Sequence, residues 1–297
     1  MAVYFIYQKV AGQSIAQRED FMHRLDQTLF KNPLNILILL LFTFFNWGFE
    51  LVKWQNLVHN VHPITIVNAA QQSLGALTAS LFTPNRIGEY GAKAIYYKKG
   101  NRRKIMLLNL ISNMTQMAIT IIAGVIGLSF FLIQQRENLT PDQKKHLLVI
   151  LIGILIASGI AYVTLKTIRG FYLDKIKLFI QTIPKIRLLC ALGYSLLRYL
   201  IFSHQFYFLL LLFGANLSYL EAMTAISAVY LIASIIPSIS FFDWLIKGSV
   251  AVWVFTFYGV SELAILSLTL LMWLLNFGMP ALIGSYFVLN FNLKQRL

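Results

Sequence analysis

Long apolar runs and short polar clusters alternate along the whole chain. The runs at 33–58, 105–133, 147–165, 189–213 and 263–290 approach or exceed the ~20 residues that cross a bilayer. Three shorter apolar stretches lie between them, at 65–82, 220–236 and 244–258. The first is spotted with Gln71, Gln72 and Ser73, and the second ends at Pro237. Runs that are apolar on every face predict helices surrounded by lipid. The pattern therefore predicts an all-α polytopic membrane protein, one transmembrane domain over 1–297.

The runs also recur. The helices at 33 and 189, at 65 and 220, and at 105 and 263 are each separated by about 155 residues. Pro84 and Pro237 repeat at nearly the same spacing, and the linkers 10–32 and 166–188 match in length. The run at 147 then needs a partner that begins before residue 1. The start, "MAVYFIYQKV", reads like the last two turns of such a helix, with its beginning upstream. The halves are about 1–133 and about 147–290. "LTASLFTPNRIGEYGAK" and "LIASIIPSISFFDWLIK" share a proline and then an acid four residues before a lysine: Glu89 with Lys93, Asp243 with Lys247. That spacing puts both members of each pair on one helix face. If 65–97 and 220–258 are re-entrant or broken hairpins, each half has three crossings, about six in all. Three is odd, so the second half is inverted. Opposed broken helices at corresponding positions point to a midplane site in a transporter. If every segment is a full span, the linker 10–32 changes sides, and its balanced charge does not decide between the two.

Composition adds that 58% of residues are hydrophobic and 12% charged, with a net charge of +14. The basic residues sit between spans, which fits cytoplasmic loops on anionic lipid rather than a nucleic-acid surface. The segment 93–104, with Lys93, Lys98, Lys99, Arg102, Arg103 and Lys104, and the linker 166–188 are expected inside. The loop 214–219 is expected outside. The tail, with Lys294 and Arg296, is expected in the cytoplasm of a multi-pass cell-membrane protein. Cys190 stands alone, and the histidines are scattered, so no disulfide framework, metal site or cofactor is expected.

The chemistry concentrates at the two breaks. Thr83-Pro84 reads as a helix start, a capping hydroxyl followed by proline. A helix starting there aims free N–H groups at an anion, with Arg86 in its first turn as a bidentate phosphate ligand. Gly88 permits close backbone approach. Glu89 can pair with Lys93, balance Arg86 or meet a cationic headgroup. Alternatively the motif lies at the interface and Arg86 reaches toward water. At the second break, Ser240 and Asp243 fit a capping box, with Lys247 one turn further on. Asn109, Ser112, Asn113 and Gln116 share a helix face and either line a cavity or bond to neighbouring helices. Glu50 and Lys53 can pair, and Arg198 lies well inside a span, where charge marks a pair or a function.

"LTASLFTPNRIGEYGAKAIYY" resembles the signature of the lysylphosphatidylglycerol synthase transmembrane-region family, also described as flippase-like. Thr83, Pro84, Arg86, Gly88 and Glu89 match in order, with Asn85 where the family usually has glycine. Pro237 and Asp243 stand where the family has a second proline and a glutamate, but without its glycines. The resemblance implies movement of a polar-headgroup lipid between leaflets: a phospholipid, an aminoacyl-phospholipid or a polyprenyl-phosphate sugar. The resemblance implies headgroup roles for Thr83, Pro84, Arg86, Gly88, Glu89 and Asp243; the spacing and charge readings above add Lys93, Arg198 and Lys247 as expected headgroup residues, with Asn109, Asn113 and Gln116 expected to line the cavity. No nucleophile elbow, phosphate loop or zinc motif appears, so a transporter is expected rather than an enzyme. The alternative is a non-catalytic membrane partner of a glycosyltransferase or lipid-modifying enzyme.

Overall fold

The computed structural model describes His23 and residues 26–137, 140–141, 178–236 and 239–291. The run at 147–165, most of both linkers, Pro237, the first turns of the chain and the basic tail lie outside the described residues. Every described element is helical: α1 Pro33–Val58, α2 Ile66–Ala79, α3 Gly88–Ala94, α4 Lys99–Gln134, α5 Lys185–Leu212, α6 Tyr219–Ile235, α7 Asp243–Thr256, α8 Glu262–Trp273 and α9 Met279–Leu289.

Among the described residues, four helical stretches are long and apolar enough to cross a membrane: α1, α4, α5, and α8 with α9. At 1.5 Å per residue the 26 residues of α1 reach about 39 Å, beyond the ~30 Å hydrocarbon core. The 14 residues of α2 reach only about 21 Å, so α2 cannot cross alone. The outward faces of the long helices are apolar, with Phe44, Ile126, Leu282 and Leu289 all exposed. The polar residues turn inward, as helices in lipid require.

Local chemistry sets the ends. Pro33 opens α1, where a missing N–H costs nothing. Thr65 caps α2 by accepting the Asn68 N–H at 3.2 Å. Ser218 and Glu221 form a capping box at the start of α6, and the Ser218 bonds hold the Glu221 carboxyl below the usual carboxylate range. The 105–133 run starts earlier than expected: α4 takes in Lys99, Arg102, Arg103 and Lys104. Lys93 is not a loop charge at all, since it is fully buried on α3.

The last span is interrupted. A π-turn, Leu274–Gly278, joins α8 to α9 just before Pro280. Proline has no N–H for the Asn276 carbonyl one turn back. The Trp47 indole N–H takes that carbonyl instead, at 3.0 Å.

α1 packs along α5, α4 along α6, and α2 along α9. α1 and α5 run antiparallel: Asn56 donates to the Arg187 carbonyl at one end, and Gln205 donates to the Leu39 carbonyl at the other. Small residues let the other pairs approach. At Gly127 an added Cβ would collide with Ser227, and at Gly284 with the Leu74 carbonyl. Such contacts between small residues are how helices associate in lipid. Gly127→Ala and Gly284→Ala should each cost about 1–3 kcal/mol. Gly48→Ala, where a Cβ meets nothing within 4 Å, should not destabilise. Chemical unfolding in detergent micelles measures all three, and equal stabilities would contradict the close-packing assignment.

Candidate functional site

The two breaks meet. Pro84 and Ile239 form an isolated antiparallel bridge, the Phe241 N–H donates to the Leu81 carbonyl at 3.2 Å, and the Phe82 and Phe241 rings stack with centroids 5.9 Å apart. Beside this junction lies a cavity of about 440 Å³ walled by α1, α4, α5, α6, both breaks and the α8–α9 turn.

The first break differs from a simple proline-started helix. Pro84 sits in the bridge to Ile239, and Asn85 and Arg86 follow in the left-handed region with φ of 48° and 58°. The helix starts only at Gly88, so Arg86 precedes its first turn. Proline at 84 fixes its own φ, but two left-handed residues after it cannot continue a helix. Thr83 still supplies a hydroxyl: its Oγ1 accepts the Gly88 N–H at 3.1 Å. Gly88 is glycine because a Cβ there would press into Thr83 and the Ala79 carbonyl. Its close approach is to its own chain. At the second break the expected capping box is also absent. Ser240–Phe242 form a 3-10 turn, and α7 begins at Asp243 without a side-chain cap.

These turns carry the charge. Glu89 is buried and lies 3.1 Å from Arg86 and 2.8 Å from Lys93. Lys93 also donates to Asn109 Oδ1 at 2.8 Å and sits 4.2 Å over the Trp54 ring. Trp54 is fixed in turn, its indole N–H donating to Gln72 Oε1 at 2.8 Å, an oxygen that Tyr97 also reaches at 2.8 Å. Lys93 and Asn109 therefore stand behind the cavity wall and hold Glu89 in place. Thr83, Pro84 and Gly88 shape the turn without lining the cavity, whereas Arg86, Glu89, Asn113, Gln116, Arg198, Asp243 and Lys247 line it.

A second charged group faces the first. Glu50 on α1 pairs with Lys53 at 2.9 Å and with Arg198 Nη1 from α5. Arg198 also donates through Nε to Asn46 Oδ1 at 3.1 Å and reaches Gln116 Oε1 at 3.4 Å. Asn46 donates to Asn276 at 2.7 Å, and Asn276 donates to Gln205 at 2.7 Å. Asn46, Glu50 and Lys53 follow helical spacing on one face of α1. The role of Glu50 as the shared partner of Lys53 and Arg198 is not visible in spacing, because Arg198 is 148 residues away. The one available signal is charge inside an apolar span. On the α4 face Asn113 and Gln116 line the cavity, and Gln116 also donates to the Ser195 carbonyl at 3.3 Å. His204 bonds the Leu200 carbonyl and Tyr219, and no cluster of metal-ligating side chains occurs among the described residues.

A family profile, the lysylphosphatidylglycerol synthase transmembrane region, matches residues 3–284. The chain belongs to that family. It is a lipid-related membrane protein. No curated protein and no solved structure matches it. The family's usual glycine after the first proline is Asn85 here, and its φ of 48° explains the exchange: glycine takes the left-handed region freely and asparagine tolerates it.

Around the cavity, Lys53, Arg86, Arg198 and Lys247 face Glu50, Glu89 and Asp243, with Lys93 directly behind. Cations outnumber carboxylates. Glu50→Gln would leave Lys53 and Arg198 buried without their shared counter-charge, at a cost of about 3–5 kcal/mol. Asp243→Asn, in a pair still reached by solvent, should cost about 1 kcal/mol or less. Chemical unfolding of the two variants in detergent separates them, and similar losses would contradict the assignment of Glu50 as the central counter-ion.

Proposed function

We propose that this chain is a flippase-like transporter whose cavity receives the anionic headgroup of a membrane lipid. The carrying observation is the imbalance of charge. Excess buried cation is expensive inside a membrane, and a phosphate supplies the missing counter-charge, two of its oxygens accepting the paired N–H groups of arginine's planar guanidinium. The position also suits the role: Arg198 lies midway along α5, a helix long enough to span. The headgroup ligands are Arg86 and Arg198. Glu89 and Glu50 hold them apart, Lys93 positions Glu89, and Asp243 with Lys247 forms the opposite wall.

Alternating access follows from an inverted repeat, in this reading six full spans and two broken hairpins with halves of about 1–133 and 147–290. Three features support it. The repeat-equivalent helices α1 and α5 are antiparallel. α2 packs on α9 as α6 packs on α4. Gly127 sits on Ser227 as Gly284 sits on Leu74, and each glycine and each partner is separated from its counterpart by roughly the repeat length. The antiparallel bridge between the breaks fits the same two-fold relation. The protein then lies in the cell membrane with its C-terminus in the cytoplasm.

The test is a translocation assay in proteoliposomes. Its substrates are headgroup-labelled phosphatidylglycerol and a polyprenyl-phosphate sugar. The wild type should speed exchange of one of them. Arg86→Ala and Glu89→Gln, checked for folding, should slow it roughly 10-fold or more, the scale of one lost charged hydrogen bond. Folded wild type that moves neither lipid would overturn the proposal. In that case the reading as a membrane partner of a lipid-modifying enzyme or glycosyltransferase takes its place.

A further inference from the structure

A second cavity, of about 560 Å³, lies on the lipid-facing side of the same helices. Its walls are Phe44, Phe45, Gly48 and Val52 of α1 and Met279, Pro280 and Ile283 of α9, with Ile66 and Leu74 of α2 between them. Thr43 is its one hydroxyl-bearing residue, and that hydroxyl accepts from Gln205. The groove is therefore apolar along its length. Phe44 and Ile283 are exposed at its mouth.

Trp47 lines both this groove and the charged cavity. Its ring forms the wall between them, pinned by its bond to the Asn276 carbonyl that Pro280 leaves free. Asn276 and Phe277 line the charged side of that break, and Met279 and Pro280 line the apolar side. An indole suits this place, since its body is apolar and its N–H is satisfied. A few residues of α1 and α9 thus carry the surface from a cation-rich chamber to a hydrocarbon-lined groove.

We propose that the groove holds one hydrocarbon chain of the lipid whose headgroup occupies the charged cavity, with Trp47 at the junction of head and chain. This inference rests on the headgroup reading above. The occupant is argued from continuity. A headgroup and its chain are covalently joined, so a site for one must open beside a site for the other. The groove meets the charged cavity across a single side chain. Gly48 keeps the channel wide: an added Cβ there meets nothing within 4 Å, so the space in front of it is free for a ligand.

That free space also gives the test. Gly48→Leu puts side-chain volume into the groove from a position where a Cβ has room, and leucine is a better helix former than glycine, so the helix should persist. Ile283→Trp narrows the groove from the opposite wall. Two probes are titrated into the full chain in detergent, followed by tryptophan fluorescence: dioleoyl phosphatidylglycerol and its chainless counterpart, glycerophosphoglycerol. The wild type should bind both, and the lipid more tightly. Each variant should bind the chainless probe as the wild type does while losing roughly 10-fold or more in affinity for the lipid, the scale of a few lost methylene contacts. Unchanged lipid affinity in both folded variants would overturn the groove assignment and leave the headgroup reading intact. A wild type that binds neither probe would overturn both.

Discussion

Everything at the centre of this protein depends on how Glu50 is shared. A carboxylate buried between Lys53 and Arg198 neutralises only one of them. Glu89 stands in the same position between Arg86 and Lys93. Two acids each serving two bases leave positive charge uncompensated, and with Lys53 and Lys93 buried that charge is costly. The surrounding amides take up what they can. Gln116 and Asn46 both accept from the arginine, and Asn46 donates on to Asn276, a chain that crosses from α5 through α1 to the last span. The remaining deficit is what a phosphate-bearing headgroup would satisfy.

The fold gathers those charges around one cavity. Among the described residues, four long helical stretches supply the crossing length, and α2, α3, α6 and α7 are shorter. Each short helix leaves a turn where ordinary helical geometry fails. The clearest is at Asn85 and Arg86, two consecutive left-handed residues without a glycine. Such backbone costs of order 1–3 kcal/mol per residue and persists where packing enforces it. The enforcing contacts are local and named: Gly88 under Thr83, and the bridge from Pro84 to Ile239. Glycines at 127 and 284 and the proline at 280 do the same for the long helices, by admitting a neighbour or freeing a carbonyl.

Much of this was legible in the residues. Apolar runs of span length locate α1 and α5 to within a few residues, because lipid forces every backbone group into helical bonds. The basic cluster before α4 hid that helix's true start, since charge is read as loop while the backbone continues to coil. The pairs Glu89–Lys93 and Asp243–Lys247 were visible from spacing alone, and both form. Their difference in burial was not, because it depends on Trp54 and Asn109 closing over Lys93. Proline at 84 suggested a helix start. The left-handed turn behind it depends on contacts with the other break, over 150 residues away, which no local pattern contains. Arg198 stands out in the sequence as charge within a span, but its partner Glu50 lies on another helix, which periodicity does not encode.

The most direct measurement is the identity of the lipid that the intact protein retains when it is purified from its native membrane in mild detergent. Native mass spectrometry reads the mass and number of bound lipids, and the total membrane extract supplies the background. If a cation-rich cavity binds a phosphate headgroup, about one anionic phospholipid or polyprenyl-phosphate lipid per chain will be enriched over that background. The enrichment will weaken in Arg86→Ala. Retained lipid that merely mirrors the membrane, unchanged in that variant, would contradict the account.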